Sequence, residues 1–260
     1  MLRPRIIPCL LVRNSGLVKT VRFGESKYVG DPLNAVRIFN EKEVDELTVL
    51  DIDATTQQRE PDYELITKLA AECRMPLCYG GGVKTAEQIQ RIIGLGVEKV
   101  ALSAAAVGNS ELISHAASRV GSQSIVVVMD VKKSGLRRLY EIFTHNGQRP
   151  TGLDPVDFAK NVEEQGAGEV FVNSIDRDGV MKGYDMDLVT RIRKAINLPM
   201  TVMGGAGTLA DIEELIRRLG TVGAAAGSLF VFKGVYRAVL INYPKRDEKD
   251  ALIARAGKTI

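Results

Sequence analysis

Short apolar runs rich in β-branched residues recur along the chain, and amphipathic stretches separate them. The runs predict strands over Arg5–Leu11, Glu46–Ile52, Pro76–Tyr79, Lys99–Ser103, Ser124–Asp130, Glu169–Asn173, Met200–Met203 and Val222–Ala226. Between them, apolar positions at three- and four-residue spacing predict helices over Pro32–Glu41, Asp62–Glu72, Ala86–Leu95, Ser110–Arg119, Pro155–Gln165, Asp187–Ala195 and Leu209–Arg218. Asn109-Ser110 and Asp154-Pro155 are helix starts, and Gly96, Gly121, Gly166 and Gly220 follow helix ends. A strand followed each time by a helix implies a parallel sheet, either closed into a barrel or open and doubly wound.

A half-chain repeat favours closure. Glu46–Asp53 aligns with Glu169–Asp176, and the same offset of 123 brings Pro76 onto Pro199, Gly81-Gly82 onto Gly204-Gly205, Thr85 onto Thr208 and Ile89 onto Ile212. Two four-strand halves, about 1–122 and 123–240, make one domain over 1–260: an α/β fold, a (β/α)8 TIM barrel with a two-fold half-barrel repeat. The charged tail Tyr243–Lys258 (about 243–260) is expected to be a surface helix.

Composition narrows the classes. The 260 residues are 45% hydrophobic and 26% charged, with net charge +3, no Trp and 5% aromatics, so a nucleic-acid stacking surface has little support. No apolar run approaches the roughly 20 residues of a membrane span, and the N-terminus lacks the apolar core of a secretory signal. Cys9, Cys73 and Cys78 cannot all pair and fit no zinc spacing, which points to a reducing cytoplasm, no metal and no cofactor.

In such barrels chemistry sits at the C-terminal strand ends. Glycine turns there expose backbone N–H groups suited to phosphate. They occur twice: Gly81-Gly82 with Ser103, and Gly204-Gly205 with Gly227-Ser228, joined by Gly179. A bisphosphorylated substrate spanning the mouth matches this pair, although tight turns alone also explain such glycines. At the opposite end Arg5, Glu46, Lys99 and Glu169 begin their strands and share the inward parity, Arg5 with Ile7 and Cys9, Lys99 with Ala101. Two cations and two carboxylates can pair on a barrel floor. His115 on a helix and His145 in a hairpin, Tyr140–Arg149, read as bystanders, and Cys9 as a core thiol. Lys132-Lys133 and Arg137-Arg138 form a basic patch that could attract an anionic substrate.

Ile6-Ile7-Pro8-Cys9-Leu10, Gly30-Asp31-Pro32, Asp45-Glu46-Leu47, Gly80-Gly81-Gly82, Gly121-Ser122-Gln123, Ser174–Gly179 and Gly204-Gly205-Ala206-Gly207 together resemble the cyclase (HisF-type) subunit of imidazole glycerol phosphate synthase, over essentially the whole chain. The resemblance implies a cytoplasmic half-repeat barrel docked as a heterodimer on a separate (HisH-type) glutaminase. Ammonia passes through the barrel to a bisphosphorylated ribulosyl substrate, yielding imidazole glycerol phosphate and an aminoimidazole carboxamide ribotide. It implies that Arg5, Glu46, Lys99 and Glu169 gate the ammonia, and that two aspartates at the tips of the first and fifth strands act as acid and base. Asp130 matches the second aspartate, Lys19 the mobile-loop lysine and Asp178 an aspartate of the sixth loop.

Three positions depart from that pattern. Leu11 stands where the first catalytic aspartate belongs, Ser103-Ala104 replaces the usual Asn-Thr at one phosphate, and Asp53 replaces a threonine. Leucine exchanges no protons. The departure predicts an ammonia-using barrel reassigned from cyclisation to another amidation, and resemblance to the second, glycosyl-amidation-associated branch of the family implies the conversion of an acetamido sugar to an acetamidino sugar for surface polysaccharide (O-antigen). The alternatives are histidine-pathway cyclisation with Asp53 compensating for Leu11, and a non-catalytic scaffold that activates a glutaminase.

Overall fold

The computed structural model describes residues 3–234 and 236–257; the first two positions, 235 and the tail positions 258–260 lie outside them. Eight parallel strands are β1 (Arg5–Arg13), β2 (Leu47–Asp51), β3 (Leu77–Gly80), β4 (Lys99–Leu102), β5 (Ile125–Ser134), β6 (Glu169–Ser174), β7 (Met200–Met203) and β8 (Gly223–Ala226). Each pairs with the next, and β8 returns to β1 with Arg5 opposite Gly223 and Ile7 opposite Ala225. The sheet closes, which excludes the open doubly wound alternative.

Around it lie α1 (Pro32–Glu41), α2 (Tyr63–Glu72), α3 (Ala86–Gly94), α4 (Glu111–Val120), α5 (Pro155–Glu164), α6 (Met186–Ala195), α7 (Leu209–Leu219) and α8 (Arg246–Gly257). Local chemistry sets their starts. Asp31 and Asp154 cap helices that open on Pro32 and Pro155, where proline's missing N–H costs nothing. Thr85 and Thr208, equivalent in the repeat, each form a capping box, with Gln88 and Asp211 respectively.

Strand alternation divides the core in two. Ile6, Leu10 and Val12 of β1 face the helices, and Ile7, Cys9 and Leu11 face the lumen. Cys78, Ala101, Val126, Phe171 and Ala225 complete the lumen packing, so the barrel is filled above its floor.

One expectation changes. β5 does not stop at Asp130. It runs to Ser134, turns through Gly135–Arg138 and returns as Leu139–Thr144, which then pairs with Arg149–Pro150. Alternation continues across Asp130, so the strand has no reason to end there. In the tail a helix starts at Arg246; it buries Leu252 and Ala256, and Lys249 Nζ ties it to Asp45 Oδ1 at 2.5 Å. Tyr243, ahead of it, donates its hydroxyl to the Ile6 carbonyl at 2.8 Å.

Candidate active site

Two adjoining recesses open at the C-terminal strand ends. The larger, about 130 Å³, is lined by residues including Leu11, Asp51, Asp130, Asn173 and Asp178, and the smaller, about 20 Å³, by Lys19, Asp178 and the second glycine set. Leu11 belongs to both linings and is 7% exposed. Hydrocarbon therefore occupies the junction where the resemblance implies a carboxylate.

After β1 the chain folds back as a hairpin, Gly16–Lys19 against Lys27–Gly30, with Leu11 opposite Val18. This returns Lys19 to the barrel axis, where its ammonium donates to the Cys9 carbonyl at 2.6 Å. Burial pulls the Lys19 pKa below its ordinary value, against opposing charges at Cys9 and Asp178. The hairpin is held from the sixth loop: Thr20 Oγ1 donates to Asp178 Oδ2 at 2.9 Å, and Arg22 N to the Asp178 carbonyl at 2.9 Å. Burial raises Asp178 above the usual carboxylate range although Thr20, Lys19 and the Phe23 N–H oppose the shift. The mobile-loop lysine is thus a buried group folded over the site.

Asp130, midway along the extended β5, is pushed up to about 6 by burial; a hydrogen bond from Asn173 opposes the shift and the charge of Asp178 adds to it. A carboxyl poised there can hold or release a proton near neutrality. Asn173 was missed by sequence reasoning. Its signal was the inward parity it shares with Glu169 and Phe171 on β6. Its Nδ2 donates to Asp130 Oδ1 at 2.8 Å, while its own Oδ1 is buried and has no partner.

Gly81, Gly82 and Ser103 line the larger recess, and Gly179, Gly204, Gly205, Gly227 and Ser228 the smaller. The repeat-related Gly81 and Gly204 have φ of +128° and +92°, and a Cβ on either would meet a backbone carbonyl, of Asp51 at 2.5 Å or of Ser174 at 2.6 Å. Close backbone approach explains these glycines without a ligand.

Asp53 is not free to replace a lost acid. Both its oxygens accept from Arg13, Nε and Nη2 at 2.9 Å each, a bidentate ion pair that engages the carboxylate outside the lining of the larger recess. His145 lines the larger recess beside Asn146, and burial together with Arg149 lowers its pKa. His115 is exposed on α4. Cys9 is buried in the lumen with its thiol pushed up to about 12, the behaviour of a core residue. Lys132 and Lys133 lie over the rings of Phe143 and Tyr140, at 5.7 and 4.7 Å, and Arg137 and Arg138 occupy the exposed turn.

At the floor, the four charges form a closed ring. Arg5 bonds Glu46 and, at 2.6 Å, Glu169; Lys99 bonds Glu46 at 2.9 Å and Glu169 at 2.9 Å. Thr201 on β7 donates its hydroxyl to Glu169 as well. Burial would raise Glu169, but Lys99 and Arg5 outweigh it and hold its pKa below the ordinary value. Among the described residues no group of three or more His, Cys, Asp or Glu could hold a metal, and no helix is long and apolar enough to cross a membrane.

Fold, mouth and floor together define a half-repeat (β/α)8 barrel with a polar site at one end and a charged ring at the other. Residues 5–237 match the family described as "Histidine biosynthesis protein". A protein from Leptospira interrogans named "Putative imidazole glycerol phosphate synthase subunit HisF" is 58% identical over 97% of this chain and 99% of its own. Similarly named proteins, numbered hisF3 in Vibrio vulnificus and hisF2 in Pseudomonas aeruginosa, are 59% and 52% identical, each over 96% of this chain and over 96% and 99% of their own. The chain belongs to this family, as a HisF-type cyclase subunit.

Proposed function

We propose that this barrel accepts ammonia from a glutaminase docked beneath its floor ring and delivers it to an anionic, phosphorylated substrate at its mouth, in an amidation that replaces the ancestral ring closure. The reaction class is conversion of an acetamido sugar to an acetamidino sugar for surface polysaccharide: one ammonia enters at the acetamido carbon and one water leaves. Lys19 and the second glycine set would hold phosphate, and Asp130 would carry protons during nitrogen transfer. The ring of Arg5, Glu46, Lys99 and Glu169 would gate ammonia entry. A cytoplasmic location fits the three unpaired cysteines.

The observation that carries this reading is Leu11 at the junction of the two recesses, beside a retained Asp130 that titrates near neutrality. One proton-exchanging group is missing while Asp130, Lys19 and Asp178 are retained. Relatives named as numbered subunits fit a barrel that serves as an additional copy within a larger assembly. The names also state the histidine-pathway synthase, so cyclisation is the competing reading.

The two separate in one assay. Purified chain is given ammonium salt and the bisphosphorylated ribulosyl substrate, with imidazole glycerol phosphate as readout. Negligible turnover that Leu11→Asp raises is the expected result. Turnover by the unmodified chain at the rate of an ordinary cyclase would overturn the reassignment.

A further inference from the structure

The two recesses differ in what they offer a ligand. In the smaller one the Lys19 ammonium, 6% exposed, stands among Gly204, Gly205, Gly227 and Ser228. The larger recess has two carboxylates of its own, Asp51 and Asp130, and shares Asp178 with the smaller. Among its described lining residues the cation is Arg13, and all three of its guanidinium nitrogens are engaged: two by Asp53 and the third by Ser26 Oγ at 2.8 Å. Arg59 reaches Asp51 at 3.3 Å without itself joining the lining. Leu50, Ile52, Val83, Ala104 and Ala105 supply much of the remaining wall.

One fully buried side-chain polar atom of that lining has no partner among the described residues. Asn173, 1% exposed, gives one amide hydrogen to Asp130, and its Oδ1 is left as a bare acceptor in the lining. A buried acceptor without a donor costs about 1–3 kcal/mol, a cost that a ligand O–H or N–H removes. A phosphate dianion brings only acceptors to that oxygen and sets like charge beside carboxylates.

We infer that the larger recess binds an uncharged, hydrogen-bond-donating end of the substrate, bearing hydroxyl and amide groups, and that only the Lys19 recess takes an anion. The substrate class is then a singly phosphorylated sugar with a neutral far end, in contrast to a bisphosphate. This deepens the amidation reading and rests on it for the location of the site.

Isothermal titration of the full chain with fructose 6-phosphate and fructose 1,6-bisphosphate tests the asymmetry, with ³¹P NMR counting inorganic phosphate bound. The expected result is one phosphate per chain, abolished in Lys19→Ala, and a bisphosphate that binds no tighter than the monophosphate. Asp51→Asn should favour the bisphosphate selectively. Two phosphates per chain, no phosphate at all, or a bisphosphate preference of about tenfold or more would overturn the inference. A failed ammonia assay with a single bound phosphate would strike the reaction and leave this substrate class standing.

Discussion

Asn173 on β6 holds Asp130 on the neighbouring β5 through one hydrogen bond, Nδ2 to Oδ1 at 2.8 Å. The bond favours the ionised carboxylate against burial and the charge of Asp178. Asn173→Ala should therefore move the titration of Asp130 above its value of about 6. A pH–rate profile, or a ¹³C NMR titration of the carboxyl, would show the midpoint displaced by up to about one unit. An unmoved midpoint would mean that the bond does not bear on the charge.

Asp130 also links stability to pH. Its folded pKa, about 6, lies above the ordinary 3.8, so below both values the group costs nothing, and the cost builds as pH rises from 3.8 to about 6 and is fully present above that. Asp130→Asn, neutral at every pH, should melt higher than the parent at about pH 8, with the advantage vanishing near pH 4. Thermal melts at several pH values would refute this if the difference were independent of pH.

The floor ring is a coupled unit. Arg5→Ala leaves Lys99 alone to neutralise two buried carboxylates, so a loss of about 3 kcal/mol is expected in chemical denaturation. The same variant, assayed with the glutaminase, should lose glutamine-dependent activity while retaining activity with added ammonium salt. Equal losses on both nitrogen sources would dismiss the ring as a gate.

The last helix fastens the strand starts that carry this ring. Asp45 accepts the Ile6 N–H at 2.9 Å and Lys249 Nζ at 2.5 Å, one residue from Glu46 and one from Arg5 in the chain. Lys249→Ala should cost ~1–2 kcal/mol by leaving a partly buried carboxylate short of its cation. Hydrogen exchange should quicken at α8 and at the first residues of β1; protection unchanged at β1 would show that the helix does not brace it.

Asp53→Ala frees Arg13 and unfastens one side of the hairpin that carries Lys19. Amides over Gly16–Gly30 should exchange severalfold faster, while those of β6 and β7 hold their rates. A hairpin as protected as in the parent would locate its restraint entirely at Asp178.

The barrel was readable because its signals are local. Apolar spacing of two and of three to four marks strands and helices, and the 123-residue offset superposes Thr85 on Thr208, whose capping boxes are indeed equivalent. Inward parity was equally readable, and it placed Arg5, Glu46, Lys99 and Glu169 on one floor before any coordinates. Asn173 carried that same parity, yet a lone asparagine in a strand says nothing about which neighbour it serves. The hairpin over Tyr140–Arg149 was legible, but the continuation of β5 from Asp130 to Ser134 was not, because the alternation there simply runs on.

The order of strands and helices and the half-chain repeat that favours a closed sheet follow from the order of residues alone, since they depend on chain periodicity and on side-chain identity. Partnerships were decided in three dimensions. Asp53 joins Arg13 40 residues away, Asn173 joins Asp130 across 43, and Lys249 joins Asp45 across 204. Whether a carboxylate is a base, a clamp or a brace depends on the charge and water around it, and folding alone brings those surroundings together.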